Sequence, residues 1–267
     1  MKHSKPRGVT DIHCHLLPGI DDGAKCWEDS LRMARQAVAE GIFTSILTPH
    51  QLGGYTATRG DTIRQLTTQF QQLLNAEGIP LRVLPGADVR IDSDMIDRLK
   101  SGDCLTLGDT GRYVLLELPH ELYMPLEPVL DQLRSIGITG ILSHPERNQG
   151  ILRQPEVLSG LIERGCLMQI TADSLLGTFG AQPEEFSLMM LERGWVHFLA
   201  TDAHSPRSRR PRIEDARQRA AEAAGTAYAE AICCINPAAV AAGADCPPLP
   251  AVERRGLFAR FFGRRSA

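Results

Sequence analysis

The alternation of short strand-like runs with helical patterns is the feature that most restricts how this chain of 267 residues can fold. Seven runs rich in β-branched and apolar residues recur along it, at 9–15, 43–50, 81–89, 112–119, 139–146, 166–173 and 197–204. Helical apolar spacing fills intervening segments such as 28–41, 62–78 and 126–137. A repeated strand–helix–strand order favours parallel pairing with the helices outside. Seven strands rather than eight predict an α/β fold, a distorted (β/α)7 barrel.

Composition narrows the class of protein. The chain has 43% hydrophobic and 23% charged residues, as globular proteins do. The net charge of −3 gives no overall positive potential that would attract nucleic acid. With 5% aromatic residues, the chain also has few rings on which bases could stack. No apolar run is long enough to span a bilayer. Seven cysteines without a C-x-x-C spacing indicate a reducing compartment, so we expect a cytoplasmic protein that binds no nucleic acid.

The C-terminal end differs in composition from the rest. We predict a barrel domain over 1–245 and, over 246–267, a Pro-rich break followed by a basic-aromatic tail. The tail sequence VERRGLFARFFGRR contains five arginines and three phenylalanines. A frayed, solvated terminus is the simpler interpretation, and peripheral contact with an anionic membrane or an acidic partner is the alternative.

Residue types that bind metals stand where the predicted strands end. In a (β/α) barrel these carboxyl ends converge on one mouth, where active sites lie. Residues two apart on a strand share a face, so paired ligands on the first and last strands point together. The residues at these strand ends are His13, His15, His50, Asp88, Glu117, His144, Asp202 and His204.

So many imidazoles and carboxylates in one place predict a metal centre. Five of the eight histidines fall at these strand ends, and burying charge without compensation is costly. Asp22, in the loop GIDDG, is a further candidate, although its spacing alone fits a turn residue beside Gly23. Imidazole with carboxylate suits Mn²⁺, Fe²⁺ or Zn²⁺, and nine ligands suggest two or three bridged ions. Such a cluster activates water and clamps the oxygens of a phosphoryl centre.

The motifs DIHCHLLPGIDDGA, TPH, GADV, LLELP, SHPERN and ATDAH occur in this order. In combination they resemble the PHP (polymerase and histidinol phosphatase) superfamily, and within it the bacterial protein-tyrosine phosphatases of capsule and exopolysaccharide loci. The resemblance extends from Thr10 to Asn236. It implies a distorted (β/α)7 barrel of PHP type, usually with Mn²⁺, that removes phosphate from the membrane tyrosine autokinase driving polysaccharide export.

The resemblance also assigns ligands to three ions. The first would be bound by His13, His15, Asp202 and a bridging Asp88; the second by Asp88, Glu117 and His144; the third by Asp22, His50 and His204. The family usually has Glu where this chain has Asp88. The shorter side chain puts the bridged pair of ions in question, but not the whole site.

Arginines near two ligand motifs are candidates for binding the phosphate, since the planar guanidinium pairs with two phosphate oxygens. The resemblance selects Arg147 and Arg209, which with Asp202 make up the predicted catalytic set. For Arg207, Arg210 and Arg212 we expect a solvated loop. The spacing Cys26-x5-Arg32 imitates cysteine-based tyrosine phosphatases, but Glu28 and Asp29 lie inside it and would repel a phosphate.

The sequence therefore predicts a metal-dependent protein-tyrosine phosphatase. One alternative keeps the site and changes the substrate, giving a small-molecule phosphomonoesterase of histidinol-phosphatase type. A nuclease-like phosphodiesterase is disfavoured by the net charge. Another alternative, motivated by Asp88, is a weakly catalytic scaffold that binds the autokinase tail.

Overall fold

The computed structural model describes residues 8–253 and contains two parallel sheets within that range. One sheet has the strand order β1-β2-β4 and the other the order β3-β5-β6-β7-β8-β9. The strands are β1 Val9–Cys14, β2 Ile42–Leu47, β3 His50–Gln51, β4 Arg82–Pro85, β5 Asp88–Arg90, β6 Tyr113–Glu117, β7 Thr139–Ser143, β8 Leu167–Thr171 and β9 Phe198–Ala200. The predicted α/β class with parallel strands is confirmed.

Every predicted strand is present, but two of them are interrupted. The predicted run 43–50 becomes β2 and β3, and the run 81–89 becomes β4 and β5. Pro49 has no N–H to donate to a ladder, which explains the first interruption. At the second, a Cβ on Gly86 would lie 2.6 Å from Ile46 Cγ2, so only glycine permits this approach of the two strands. The two short segments β3 and β5 pair with each other at the polar end of the sheet.

The first and last strands meet at a seam. Cys14 and Ala203 form an isolated parallel bridge, and Asp202 N donates to His13 O at 2.7 Å. The buried carboxylate of Asp11 on β1 accepts hydrogen bonds from the amide and the hydroxyl of Thr201, at 3.0 and 2.5 Å. The Asp11 side chain therefore replaces part of the backbone hydrogen bonding that a regular β1–β9 strand pair would have.

Helices connect the strands, as predicted. The segments 28–41, 62–78 and 126–137 form α1, α2 and α4, and Gly41 and Gly78 adopt φ of +82° and +63° just after the first two. The helices are α1 Trp27–Ala39, α2 Gly60–Ala76, α3 Met95–Ser101, α4 Glu127–Ser135, α5 Gln149–Arg153, α6 Val157–Glu163, α7 Ala172–Leu175, α8 Ala181–Glu192, α9 Glu214–Ala224, α10 Thr226–Glu230 and α11 Asn236–Ala241.

A small apolar cluster supports the polar strand ends. Leu115 and Ala200 belong to it and are fully buried. Leu115 precedes Glu117 by two residues and so lies on the same face of β6, whereas Ala200 is the last residue of β9, two positions before Asp202. Phe198 and Val240 of α11 also belong to the cluster. The predicted ligands thus follow strand segments whose side chains form a buried apolar cluster.

Residues 246–253 contain no helix or strand, and Glu253 N donates to Ala224 O at 3.0 Å. The boundary at 245/246 stays a prediction, and most of the predicted tail lies outside the described residues. Among the helices of residues 8–253, none combines the length and apolar character needed to cross a membrane.

His197 is a structural histidine that links two strands, and it should make the protein less stable in acid. Its Nδ1 accepts from Met168 N at 3.1 Å, and burial lowers its pKa from 6.5 to about 4. Because the unfolded chain binds this proton first, stability should fall as pH drops below 6.5. The loss should reach about 2 kcal/mol at pH 5.

The variant His197→Asn keeps an acceptor but does not titrate. Urea unfolding at pH 7.5 and pH 5 should show a smaller acid-induced loss of unfolding free energy in this variant than in the wild type. Equal losses in the two proteins would contradict the assignment.

Candidate metal centre

Two histidines of β1 lie at the middle of the candidate site. His13 and His15 are fully buried, and their Nε2 atoms are 3.2 Å apart. Carboxylates from two other strand ends face them. His13 Nε2 lies 3.5 Å from Asp88 Oδ2 and 3.3 Å from Asp202 Oδ1, and the latter oxygen is 3.5 Å from His15 Nε2. The first, third and last predicted strands thus bring their polar ends together.

Asp22 joins two further histidines on the open side of the site. Its Oδ1 lies 3.5 Å from the Nε2 atoms of both His50 and His204. The ring of His204 stacks on that of His15 with centroids 3.8 Å apart. The Asp22 side chain is about half exposed, at 54%, and is aimed at the histidines. The structure therefore places Asp22 beside the other predicted ligands, and its role as a ligand stays a prediction.

Glu117 and His144 complete the set of predicted ligands. Glu117 Oε2 lies 3.3 Å from His50 Nδ1, and Glu117 Oε1 lies 3.9 Å from His144 Nε2. Arg90 Nε donates to Glu117 Oε2 at 2.6 Å. Oε2 of Glu117 is therefore already paired with the Arg90 guanidinium. Oε1 has only the more distant contact with His144.

The nine predicted ligands form four overlapping groups, in each of which the candidate donor atoms lie within 4.8 Å of one another. The grouping differs in part from the one that the resemblance implies. His15 joins Asp22, His50 and His204, whereas His144 groups with His13 and Asp202. The remaining groups are His13–His15–Asp88 and His50–Asp88–Glu117.

A cation fits this donor set. Among residues 8–253, both carboxylate oxygens of Asp88 and Nδ1 of His50 are buried without a hydrogen-bond partner. Leaving such groups unpaired in a protein interior is costly, and a divalent ion would satisfy them. The donors are imidazole nitrogens and carboxylate oxygens, the ligands that Mn²⁺, Fe²⁺ and Zn²⁺ share.

The pKa values of His15, His144 and Asp202 also suit ligation. Burial, with the nearby charges of His204 and His50, holds the pKa of His15 well below its usual value. Burial and Arg147 lower the pKa of His144 to about 3. Neutral imidazole, the form that binds metals, is thereby favoured at both positions. Burial alone would raise the pKa of Asp202, but the charges of His13 and Arg209 outweigh it and keep that pKa well below its usual value.

Two orienting residues were missed by the sequence analysis. Gln169 Oε1 lies 2.8 Å from His13 Nδ1, and Asp21 Oδ2 lies 2.7 Å from His15 Nδ1. Asp21 Oδ2 also accepts from His50 N at 3.1 Å. Such partners fix the tautomer and ring orientation of a ligating histidine. A polar residue inside the apolar strand run 166–173 was the available signal for Gln169, whereas nothing separates Asp21 from its neighbour Asp22.

Arg147 and Arg209 meet at one oxygen beside the centre. Both guanidiniums donate to Asp202 Oδ2, Arg147 at 2.5 Å. Asp202 Oδ1 faces the histidines instead, so the two oxygens of this carboxylate serve two different sets of groups. Asp202 and His144 adopt φ of +50° and +33°, a strained backbone for residues other than glycine. The structure thus brings the predicted catalytic set together.

The other three arginines of the segment after β9, Arg207, Arg210 and Arg212, differ in exposure and pairing. Arg207 and Arg210 are exposed, as expected for a solvated loop. That expectation is wrong for Arg212, whose guanidinium donates at 2.7 Å to Asp173, a carboxylate only 3% exposed. A cleft of about 490 Å³ opens beside the centre, and its lining includes Asp22, Lys25, Asp29, His204, Arg207 and Arg209.

Two residues near the motifs lie outside the centre. Glu146 is fully buried, and its Oε1 accepts from Thr171 N at 3.0 Å, so it supports the end of β8. Cys26 is exposed and directly precedes α1. Neither residue belongs to any of the four ligand groups.

Replacement of Cys26 by serine should leave turnover within about twofold of wild type, because a metal centre does not use this thiol as nucleophile. Steady-state hydrolysis of a phosphotyrosyl peptide checks this. Cys246→Ser, at another cysteine outside the centre, is the matched control. Loss of turnover in folded Cys26→Ser protein alone would overturn the assignment.

Comparisons with known proteins agree with this geometry. The family model "Capsular polysaccharide synthesis, CpsB/CapC" matches residues 9–242. Tyrosine-protein phosphatase YwqE of Bacillus subtilis (strain 168) is 40% identical over 210 residues, which are 78% of this chain and 82% of YwqE. Tyrosine-protein phosphatase CpsB of Streptococcus pneumoniae is 28% identical over 238 residues, which are 86% of this chain and 96% of CpsB.

A solved structure gives the same relationship in three dimensions. It comes from a crystallographic study of YwqE from Bacillus subtilis and CpsB from Streptococcus pneumoniae, described as unique metal-dependent tyrosine phosphatases. The TM-score is 0.85 at 35% sequence identity, and the match covers 92% of this chain and 100% of that chain.

Proposed function

The chain belongs to the CpsB/CapC family of capsular polysaccharide synthesis proteins, and we propose that it is a metal-dependent protein-tyrosine phosphatase. The observation that supports this most is the cluster of nine histidines and carboxylates at the strand ends, in which buried donor atoms are left for cations. Similarity to YwqE, a tyrosine-protein phosphatase, indicates the phosphomonoester of tyrosine as substrate.

The residues fit two or three divalent ions, and we propose Mn²⁺ as the physiological metal, with Fe²⁺ or Zn²⁺ as alternatives. The ligands would be His13, His15, Asp22, His50, Asp88, Glu117, His144, Asp202 and His204. When bound, such ions supply Lewis acidity that activates water and neutralises charge on the phosphoryl group.

The protein's own groups bind and orient the phosphate. Arg147 and Arg209 approach the centre from two different loops and present planar donors that match phosphate oxygens. Asp202 Oδ2 holds both guanidiniums on the side of the carboxylate away from the histidines. Gln169 and Asp21 fix the rings of His13 and His15, so the donor atoms of the centre are oriented before substrate arrives.

We further propose that the substrate is the membrane tyrosine autokinase of capsule or exopolysaccharide synthesis, and that the enzyme acts in the cytoplasm. The family description supports the pathway. All seven cysteines lie within the described residues and none is in a disulfide, which supports a reducing compartment. For the basic tail within 246–267, peripheral membrane contact stays the alternative to a solvated terminus.

The decisive experiment measures phosphate release from four substrates by Mn²⁺-loaded protein. These are a phosphotyrosyl peptide, the matching phosphoseryl peptide, histidinol phosphate and a phosphodiester. We expect the highest kcat/KM for the phosphotyrosyl peptide. Faster turnover of histidinol phosphate would favour the small-molecule phosphatase. Tight binding of the autokinase tail with no turnover of any substrate would favour the scaffold.

A further inference from the structure

The loop after β8 places an aromatic side chain against both candidate phosphate-binding arginines. The ζ-carbon of Arg147 lies 4.4 Å from the centroid of the Phe179 ring, and that of Arg209 lies 5.8 Å from it. Both distances are in the range at which a guanidinium is attracted to an aromatic ring. Phe179 is half-buried and is not one of the predicted site residues.

Sheet order explains why this loop reaches both arginines. Arg147 follows β7 and Arg209 follows β9, and β8 lies between these two strands. The segment after β8 therefore emerges between the two arginine-bearing loops. A side chain on the segment after β8 can therefore contact Arg147 and Arg209 at the same time.

The Phe179 loop is held in a defined shape. Gly177 lies two residues before Phe179 and Gly180 one residue after it, with φ of +77° and +97°, and Gly180 N donates to Gly177 O at 3.0 Å. Thr178 N donates to the carbonyl of buried Asp173 at 2.9 Å. Residues with a side chain rarely adopt these φ values, so Gly177 and Gly180 favour this turn of the loop.

Arg212 ties this loop to the segment that contains Arg209. Its guanidinium donates to Asp173 Oδ1 at 2.7 Å and to Thr178 Oγ1 at 3.4 Å. The loops after β8 and β9 are thereby joined by a partly buried ion pair. Displacement of the backbone beside Phe179 would therefore disturb the contacts of Arg212 with Asp173 and Thr178.

We propose that Phe179 is a positioning residue that keeps Arg147 and Arg209 in the orientation that binds the substrate phosphate. The inference rests on the proposed function. Each guanidinium donates to Asp202 Oδ2 through one terminal nitrogen, Nη1 of Arg147 and Nη2 of Arg209, so its other N–H groups stay available for phosphate oxygens. An aromatic face permits a guanidinium to slide parallel to the ring, and it resists movement away from it. Phe179 thus keeps both arginines beside the centre while their remaining N–H groups bind the phosphate.

The test measures binding of inorganic phosphate to the Mn²⁺-loaded protein by calorimetry, together with kcat and KM for a phosphotyrosyl peptide. In Phe179→Leu we expect the phosphate Kd and the peptide KM to rise about tenfold, with a smaller change in kcat. Phe179→Tyr keeps the ring and should restore both values to within about twofold. If the leucine variant does not fold, Phe179→Met replaces it.

Trp195→Leu is the matched control, because Arg193 lies 4.7 Å from that ring and neither residue is in a ligand group. It should leave phosphate binding unchanged. In an Arg147→Ala, Arg209→Ala background, Phe179→Leu should have little further effect. Unchanged phosphate binding in Phe179→Leu, or a tyrosine variant as weak as the leucine variant, would overturn the inference. Absence of peptide turnover in the wild type would instead refute the proposed function.

Discussion

Replacing Asp202 by asparagine should reduce turnover of a phosphotyrosyl peptide by on the order of 10³-fold, about 4 kcal/mol of transition-state stabilisation. The substitution keeps the shape of the side chain and removes its charge. Asp202 Oδ1 lies within 3.3–3.5 Å of nitrogens of His13, His15 and His204, and Oδ2 accepts from both arginines. One change therefore weakens the metal centre and releases the phosphate-binding groups together.

The measurement is kcat/KM at saturating Mn²⁺, with metal content determined on the same sample. Glu214→Gln is the control, because Glu214 pairs with Arg217 on α9 and belongs to none of the ligand groups. It should retain wild-type turnover. An Asp202→Asn protein that is folded, loaded with metal and fully active would refute the role given to this carboxylate.

Removal of metal should abolish turnover and lower the melting temperature by roughly 10 °C. An ion present at 1,000 times its Kd contributes about 4 kcal/mol to the folded state, and each kcal/mol moves the melting temperature of a protein of this size by roughly 2–4 °C. The stripped centre leaves both carboxylate oxygens of Asp88 buried without a hydrogen bond and close to the carboxylate of Glu117.

Calorimetric scans with and without EDTA, followed by addition of Mn²⁺, check this expectation. Adding Mn²⁺ should restore both the melting temperature and turnover. His15→Gln, which removes a ligand common to two groups, should show a smaller response to EDTA. An unchanged melting curve after verified loss of metal would show that the ions add little to folding stability.

The sequence predicted the strands and the clustering of the candidate ligands because both follow from position along the chain. A polar residue at the end of an apolar strand has few structural reasons to be there, and His50, Asp88 and Glu117 all follow this rule. The interruption at Pro49 could have been read from its missing N–H, whereas the close contact of Gly86 with Ile46 depends on the packing of two strands.

The residues that the sequence did not reveal act through contacts between distant segments. Gln169 is 156 positions from His13 along the chain, and Phe179 contacts two arginines on other loops. Arg212 resembles its exposed neighbours in the sequence, and only its pairing with Asp173 distinguishes it. The grouping of ligands depends on side-chain directions, which no linear pattern contains.

The seam between β1 and β9 has a consequence for the order of events during synthesis. His13 and His15 leave the ribosome early, whereas Asp202 and His204 follow almost two hundred residues later. Two of the four ligand groups require a residue from this last segment, and so does the hydrogen bonding of Asp11 to Thr201. A nascent chain that lacks β9 can form only part of the centre. Full metal loading must therefore await release of the last strand, and a prematurely terminated chain would lack both complete ligation and the seam.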